Sequence, residues 1–203
     1  MTISNATGSI TLPASRHPAE SLTRNQRLVY IVALGALVAL GPFTVDLYLP
    51  SFPSVARDFA ASDAAVQLTL TATSIGFAVG QLLIGPWSDK IGRRTPLLLA
   101  TALHVIASIG VAFAPNIELL GVLRVVQGIG AAGGGVVAMA TIRDLFGGQP
   151  LVRMLSRMAL VSGLAPILAP VIGSQLLRVT DWFFPQGFDH HHLLAGIPGV
   201  SDV

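Results

Sequence analysis

The sequence predicts an all-α membrane protein with five transmembrane helices, and three observations carry that expectation. Of 203 residues, 52% are hydrophobic and only 11% charged, with a mean hydropathy of +0.71. A soluble domain carries about 25% charged residues and could not cover its surface with so few. Five apolar stretches approach the roughly 20 residues that a helix needs to cross about 30 Å of hydrocarbon. Basic residues fall on alternate connections between those stretches. The absence of cysteine excludes a disulfide framework, thiolate chemistry and cysteine-ligated metal sites. An excess of two basic residues is too small to argue for nucleic acid.

In chain order, 1–27 is a polar tail with no cleavable signal-peptide pattern. The expected spans are 28–49, 66–87, 95–114, 117–142 and 158–177, forming one partial bundle over 28–177. None alternates in polarity as a barrel strand would. Pro115-Asn116 makes the third and fourth an antiparallel hairpin. Arg16, Arg24 and Arg27 precede the first span. Lys90, Arg93 and Arg94 follow the second, and Arg143, Arg153 and Arg157 lie between the fourth and fifth. Only Arg57 and Arg178 fall on the other side, so the positive-inside rule expects a cytoplasmic N-terminus and an external C-terminus in the cell's inner membrane. Beyond the spans, 178–203 is expected to be an unpacked tail, interrupted by Pro185 and Pro198.

After the second span the chain reads Gly85-Pro-Trp-Ser-Asp89-Lys-Ile-Gly92-Arg93-Arg94. Gly85 and Pro86 favour a helix end and Gly92 a tight turn, while Asp89 and Arg93 can neutralise each other and cap nearby helix ends. The plain alternative is a charged turn. The fourth span contains Leu120-x-x-x-Arg124-x-x-Gln127-Gly128, and the fifth Gly163-Leu-Ala-Pro166-Ile-Leu-Ala-Pro170-Val-Ile-Gly173. The first ends Gly41-Pro-Phe-Thr-Val-Asp46-Leu-Tyr-Leu-Pro50-Ser-Phe-Pro53. These four motifs, in this order, resemble the major facilitator superfamily, and among its branches the bicyclomycin and chloramphenicol resistance (Bcr/CflA) type of drug:proton antiporter. The resemblance covers Arg27 to about Trp182. It implies five helices of an N-terminal six-helix bundle, multidrug efflux of small amphipathic drugs powered by the proton gradient, and no cofactor. It also implies a conformational-switch role for the loop of Gly85, Asp89, Gly92, Arg93 and Arg94, and an antiporter motif at Gly163, Pro166, Pro170 and Gly173.

Asp46 stands out on chemistry alone, since a carboxylate within a span is costly and by default faces a polar cavity. The alternative is that it snorkels at the outer interface. Counting 1.5 Å per residue from the span ends puts Asp46 and Arg124 both roughly 10 Å deep, so pairing is possible. A carboxyl there, drawn to its charged form by arginine and to its neutral form by desolvation, can load and release protons. The resemblance likewise assigns proton coupling to Arg124. A purely structural role, in an ion pair or in bonds to backbone carbonyls, is the competing reading.

Asp46, Gln127, Pro166 and Pro170 are the expected substrate-cavity residues, the prolines bending or softening their helix. Gly76, Gly80 and the Gly128 to Gly135 series are expected to be packing faces, and Gln81 to bond to a neighbouring helix. His104 is expected to be neutral and hydrogen-bonded. His190 to His192 share no helical face, so no metal site is expected. Neither a phosphate-binding Gly-x-x-x-x-Gly-Lys loop nor a Ser-His-Asp or His-Glu-x-x-His set occurs, which argues against ATP-driven transport and against an enzyme. A sixth span is expected where the tail begins, so the chain is expected to be a truncated, inactive copy whose polar face meets lipid, a missing second half or another copy of itself. The alternatives are a half-transporter that assembles with a partner chain and a non-transporting membrane subunit.

Overall fold

A computed structural model describes residues 23–179. The expectations for the tail before Thr23 and for the tail after Val179, His190 to His192 included, lie outside the described residues. Helix α1 (Arg24–Asp46) opens on a capping box, in which the Thr23 hydroxyl accepts from the Gln26 amide at 3.3 Å and the Gln26 side chain accepts from the Thr23 amide at 3.0 Å. It stops three residues before the expected end of the first span. Pro50 has no N–H for the Asp46 carbonyl, so the chain passes through a 3-10 turn (Leu49–Ser51) into a short helix α2 (Phe52–Asp58).

Helix α3 (Asp63–Ile91) starts where the Ser62 hydroxyl accepts from the Ala65 amide, with Asp63 in the first turn. It ends at Gly92, whose φ of +90° a residue with a Cβ would resist. Helix α4 (Arg94–Ala112) follows. Helix α5 (Ile117–Leu145) is capped by Asn116, which accepts from the Leu119 amide at 2.8 Å. Helix α6 (Gly148–Val179) begins ten residues before the expected fifth span, so Arg153 and Arg157 lie on helix and not in a loop. Those charges lower hydropathy without breaking the helix. Met154 and Met158, four apart, bury against Leu34, Ala138, Ile142 and Phe146, while Arg153 and Arg157 stay exposed.

Five of these segments are long and apolar enough to cross a membrane, and α5 is the axis of the bundle. It packs against α1, α3, α4 and α6. Because lipid offers no hydrophobic drive between helices, association depends on close packing of small residues. Gly76 of α3 faces the Val125 carbonyl, and Gly128 of α5 faces the Thr73 carbonyl. A Cβ on Gly80 would lie 2.7 Å from the Ile129 carbonyl oxygen, and one on Gly130 would lie 2.6 Å from the His104 amide nitrogen. Backbone therefore touches backbone, a geometry in which Cα–H···O contacts contribute about 0.5–1 kcal/mol each. Outside, large apolar side chains such as Val32, Leu82, Ile106 and Ile167 are exposed, as a lipid-facing surface requires.

Gly76→Leu and Gly128→Leu should each destabilise the bundle by more than the 1–3 kcal/mol typical of overpacking, because the atoms in the way are backbone. Gly135→Ala and Gly163→Ala, where a Cβ meets nothing within 4 Å, should not destabilise and should gain up to about 1 kcal/mol from helix propensity. Thermal unfolding of the purified variants in detergent measures the contrast.

Candidate functional site

The polar centre of the bundle is built on one turn of α5. Arg124 is 5% exposed and Gln127 is buried beside it, three residues on and hence on the same face. Arg124 donates through Nη1 to the Gln127 Oε1 at 3.1 Å and to the Thr44 carbonyl of α1 at 3.3 Å, and its guanidinium lies 3.5 Å from the centre of the Tyr48 ring. Thr44 is in the last turn of α1, where carbonyls lack helical partners and a cation is favoured. Gln127 Nε2 donates to the Ser108 hydroxyl of α4 at 2.8 Å, and the Ser108 hydroxyl donates to the His104 carbonyl at 2.7 Å. A carbonyl only accepts, so the 3.1 Å contact between His104 Nδ1 and the Gln127 carbonyl places the proton on Nδ1. The Thr69 hydroxyl donates to the Val66 carbonyl, so the Tyr48 hydroxyl is the donor in the 2.9 Å bond between Tyr48 and Thr69.

These groups border a cavity of about 260 Å³ among α1, α2, α4 and α5. Its wall is mostly apolar, from Leu40, Phe43, Leu47, Val55, Val111 and Leu120, with Thr44, Tyr48, His104, Ser108, Arg124 and Gln127 as the polar part. Among the described residues, two buried side-chain polar atoms have no hydrogen-bond partner, Ser51 Oγ and Arg124 Nε.

Asp46 and Arg124 do reach similar depth, since Arg124 touches Thr44 and Tyr48 on either side of Asp46. Yet no ion pair joins them, and Asp46 is half-buried as the last residue of α1. Thr44 and Tyr48 are four apart and share a face, whereas Asp46 lies about 200° round from Thr44. Of the four expected cavity residues, Gln127 lines this cavity, while Asp46, Pro166 and Pro170 do not. The antiporter motif divides along its length. Gly163 and Pro166 are exposed, Pro170 is half-buried, and Gly173 packs so closely on α1 that a Cβ would lie 2.8 Å from the Leu47 carbonyl oxygen. Gln81 is exposed and makes no hydrogen bond among the described residues.

At the other end of α5 lies a second polar group. Arg93 pairs with Asp89 one turn back, donates to the Ser88 hydroxyl at 2.9 Å, and bonds through Nε to Asp144 of α5 at 2.8 Å. The Asp144 bond, ahead of that from Asp89, raises the guanidinium's pKa above its ordinary value and keeps it charged. Gly85, Ser88, Asp89, Arg93, Arg143 and Asp144 line a shallow pocket there, and Arg94 is exposed outside it. The expected Asp89–Arg93 neutralisation is thus present. Asp144 was missed, although an acid beside Arg143 at a helix end is a visible signal. Thr44 and Tyr48 were missed although both lie within the first-span motif around Asp46, and Ser108 was missed because nothing in its sequence context separates it from ordinary span residues.

The chain matches the profile described as Major Facilitator Superfamily over residues 27–185. It is 43% identical over 155 residues to the uncharacterized MFS-type transporter YdgK of Bacillus subtilis, an alignment covering 76% of this chain and 39% of that protein. It is 38% identical over 154 residues to a bicyclomycin resistance protein homolog of Haemophilus influenzae, covering 76% and 39%. The fold is similar to a bacterial homolog of the human lysosomal transporter Spinster in an inward-facing, occupied conformation, with a TM-score of 0.70 at 19% identity over 87% of this chain and 37% of that one. The chain spans about two-fifths of the length of the curated relatives it matches.

Ser108→Ala should leave the buried Gln127 amide without its acceptor and lower stability by about 1–3 kcal/mol. Calorimetric melting in detergent tests this, and an unchanged midpoint would show that water replaces the hydroxyl without cost.

Proposed function

The chain belongs to the Major Facilitator Superfamily, and from that premise we propose that it forms the first part of a multidrug exporter. In this reading small amphipathic drugs leave the cell in exchange for protons across the inner membrane, with the N-terminus in the cytoplasm. The similarity to a protein named for bicyclomycin resistance supports the substrate class, and the alternating placement of arginine and lysine supports the orientation.

The observation that carries the proposal is the attachment of Arg124 to the turn of α1 that bears Asp46. A charge inside a span costs about 2.5–3.5 kcal/mol on insertion scales, so two ionisable groups on adjoining helices at one depth are costly unless used. Ionised, Asp46 draws the guanidinium toward it. Protonated, it leaves Arg124 to Thr44, Tyr48 and Gln127. Proton arrival thereby changes what holds α1 to α5, and no metal or organic cofactor takes part.

Alternating access needs two halves that rock about one site, so the five helices act with those that complete the fold, whether in the same polypeptide, a partner chain or a second copy. The Asp89–Arg93–Asp144 group at the far end of α5 serves as the switch, because its exposed pairs are worth only about 1 kcal/mol each and are readily exchanged.

In a version carrying the completing helices, Asp46→Asn should abolish efflux driven by a proton gradient while insertion into the membrane is unchanged. Efflux at the normal rate would remove Asp46 from the mechanism. Asp89→Asn in the same background should lower turnover several-fold with drug affinity nearly constant. Normal turnover with weakened binding would instead place the loop in the binding site.

A further inference from the structure

Outside its contact with α1, helix α6 has two unlike flanks. It buries Met154, Met158, Ala165, Ala169 and Gly173 on one stripe, with Gly35 of α1 against Met158 and the Leu47 carbonyl against Gly173. At about 100° per residue, Ser156, Ala159, Gly163 and Pro166 fall to one side of that stripe, all of them exposed. Residues this short suit the close approach of another helix. The other side carries Arg153, Arg157, Leu160, Leu164, Leu168 and Val171, three or four residues apart and likewise exposed. Long apolar side chains in the open form a surface for lipid tails rather than for a closely packed helix. The two contacts with α1 keep one register, so Arg153 lies level with about Arg27 and Arg157 about one turn deeper, at the end of the bundle where both helices begin.

The two arginines are like charges four residues apart, an arrangement that destabilises a helix unless an anion joins them. Among the described residues neither makes an ion pair or a hydrogen bond, and the acids at this end, Asp89 and Asp144, are both held by Arg93. We propose that this flank binds one anionic phospholipid, with its phosphate between the Arg153 and Arg157 guanidiniums and its acyl chains along Leu160, Leu164, Leu168 and Val171. A guanidinium presents paired N–H groups that match phosphate oxygens, and Arg157, the deeper of the two, extends along the helix to headgroup level. About 15 Å of hydrocarbon in one leaflet corresponds to about ten residues of helix, roughly the stretch from Leu160 to Val171. A zwitterionic lipid has the same phosphate, but its cationic amine meets two positive charges and, among the described residues, no carboxylate that Arg93 does not already hold. The site lies apart from the cavity around Arg124 and stands without transport.

The test uses the full 203-residue chain purified in detergent, with dioleoylphosphatidylglycerol and dioleoylphosphatidylcholine as probes and native mass spectrometry to resolve each bound lipid. The first phosphatidylglycerol should bind at least about fivefold tighter than the first phosphatidylcholine, the scale of one basic residue beside an anionic headgroup. Arg153→Gln with Arg157→Gln should bring that ratio near one, and Arg153→Lys with Arg157→Lys should keep most of it. Arg57→Gln, at the opposite end of the bundle, should leave it unchanged. Leu160→Ala with Leu164→Ala should weaken both lipids alike. Every one of these side chains is exposed, so the variants keep the fold. A wild-type ratio near one, a ratio that survives the glutamine pair, or displacement of the lipid by glycerol phosphate, which has the headgroup without the tails, would overturn the proposal. So would a ratio near one in a version carrying the completing helices, because those helices and not lipid would then cover this flank.

Discussion

The bundle depends on accommodating one buried cation. Arg124 sits at membrane depth with 5% of its surface exposed, where a charge without partners would be expelled or would draw water in after it. Two hydrogen bonds from the charged guanidinium and a desolvated cation–π contact with Tyr48 offset that cost. Three helices are committed by this one group. It draws on the end of α1 and on its own neighbour Gln127, and Gln127 in turn engages Ser108 of α4.

Those polar contacts exist only because the backbones approach so closely. Gly128 and Gly130 flank the Gln127 turn, one against Thr73 of α3 and the other against Ala100 and His104 of α4. Alanine at Gly128 would push α3 away, and alanine at Gly130 would push α4 away and stretch the bonds that Gln127 makes with Ser108 and His104 beyond useful length. The glycine contacts and the polar network are therefore one device. Small residues set the interhelical distance, and the side chains between them are chosen for that distance.

The same helix ties two distant chemistries together. Arg124 and Asp144 are twenty residues apart on α5, roughly 30 Å at 1.5 Å per residue. One end holds the buried network and the other the exposed Arg93 ion pairs. Along that length α5 packs against α1, α3, α4 and α6. The exposed pairs are weak and the buried bonds strong.

Much of this was legible in the sequence. Hydropathy located the five helices, because the membrane penalises polar backbone and side chains residue by residue; Pro50 and Gly92 mark boundaries by a missing N–H and a positive φ, and Ser62 and Asn116 by accepting bonds from nearby amides. The small-residue faces of α3 and α5 were also visible as spacings. What hydropathy misplaced was the start of α6, where charged and buried residues alternate by face and averaging along the chain hides the pattern.

By itself, then, the sequence determined the helices, their order, their small-residue faces and the depth at which Asp46 and Arg124 lie. Only the tertiary structure decided which groups at that depth touch. Depth follows from counting residues along an axis, but contact also needs the rotation of each helix about that axis and its neighbour's distance, and these are set jointly by all the packed faces. Rotation turned Thr44 and Tyr48 toward Arg124 and Asp46 to the side. It also brought Ser108, an unremarkable residue in the chain, to the one position where it completes the network.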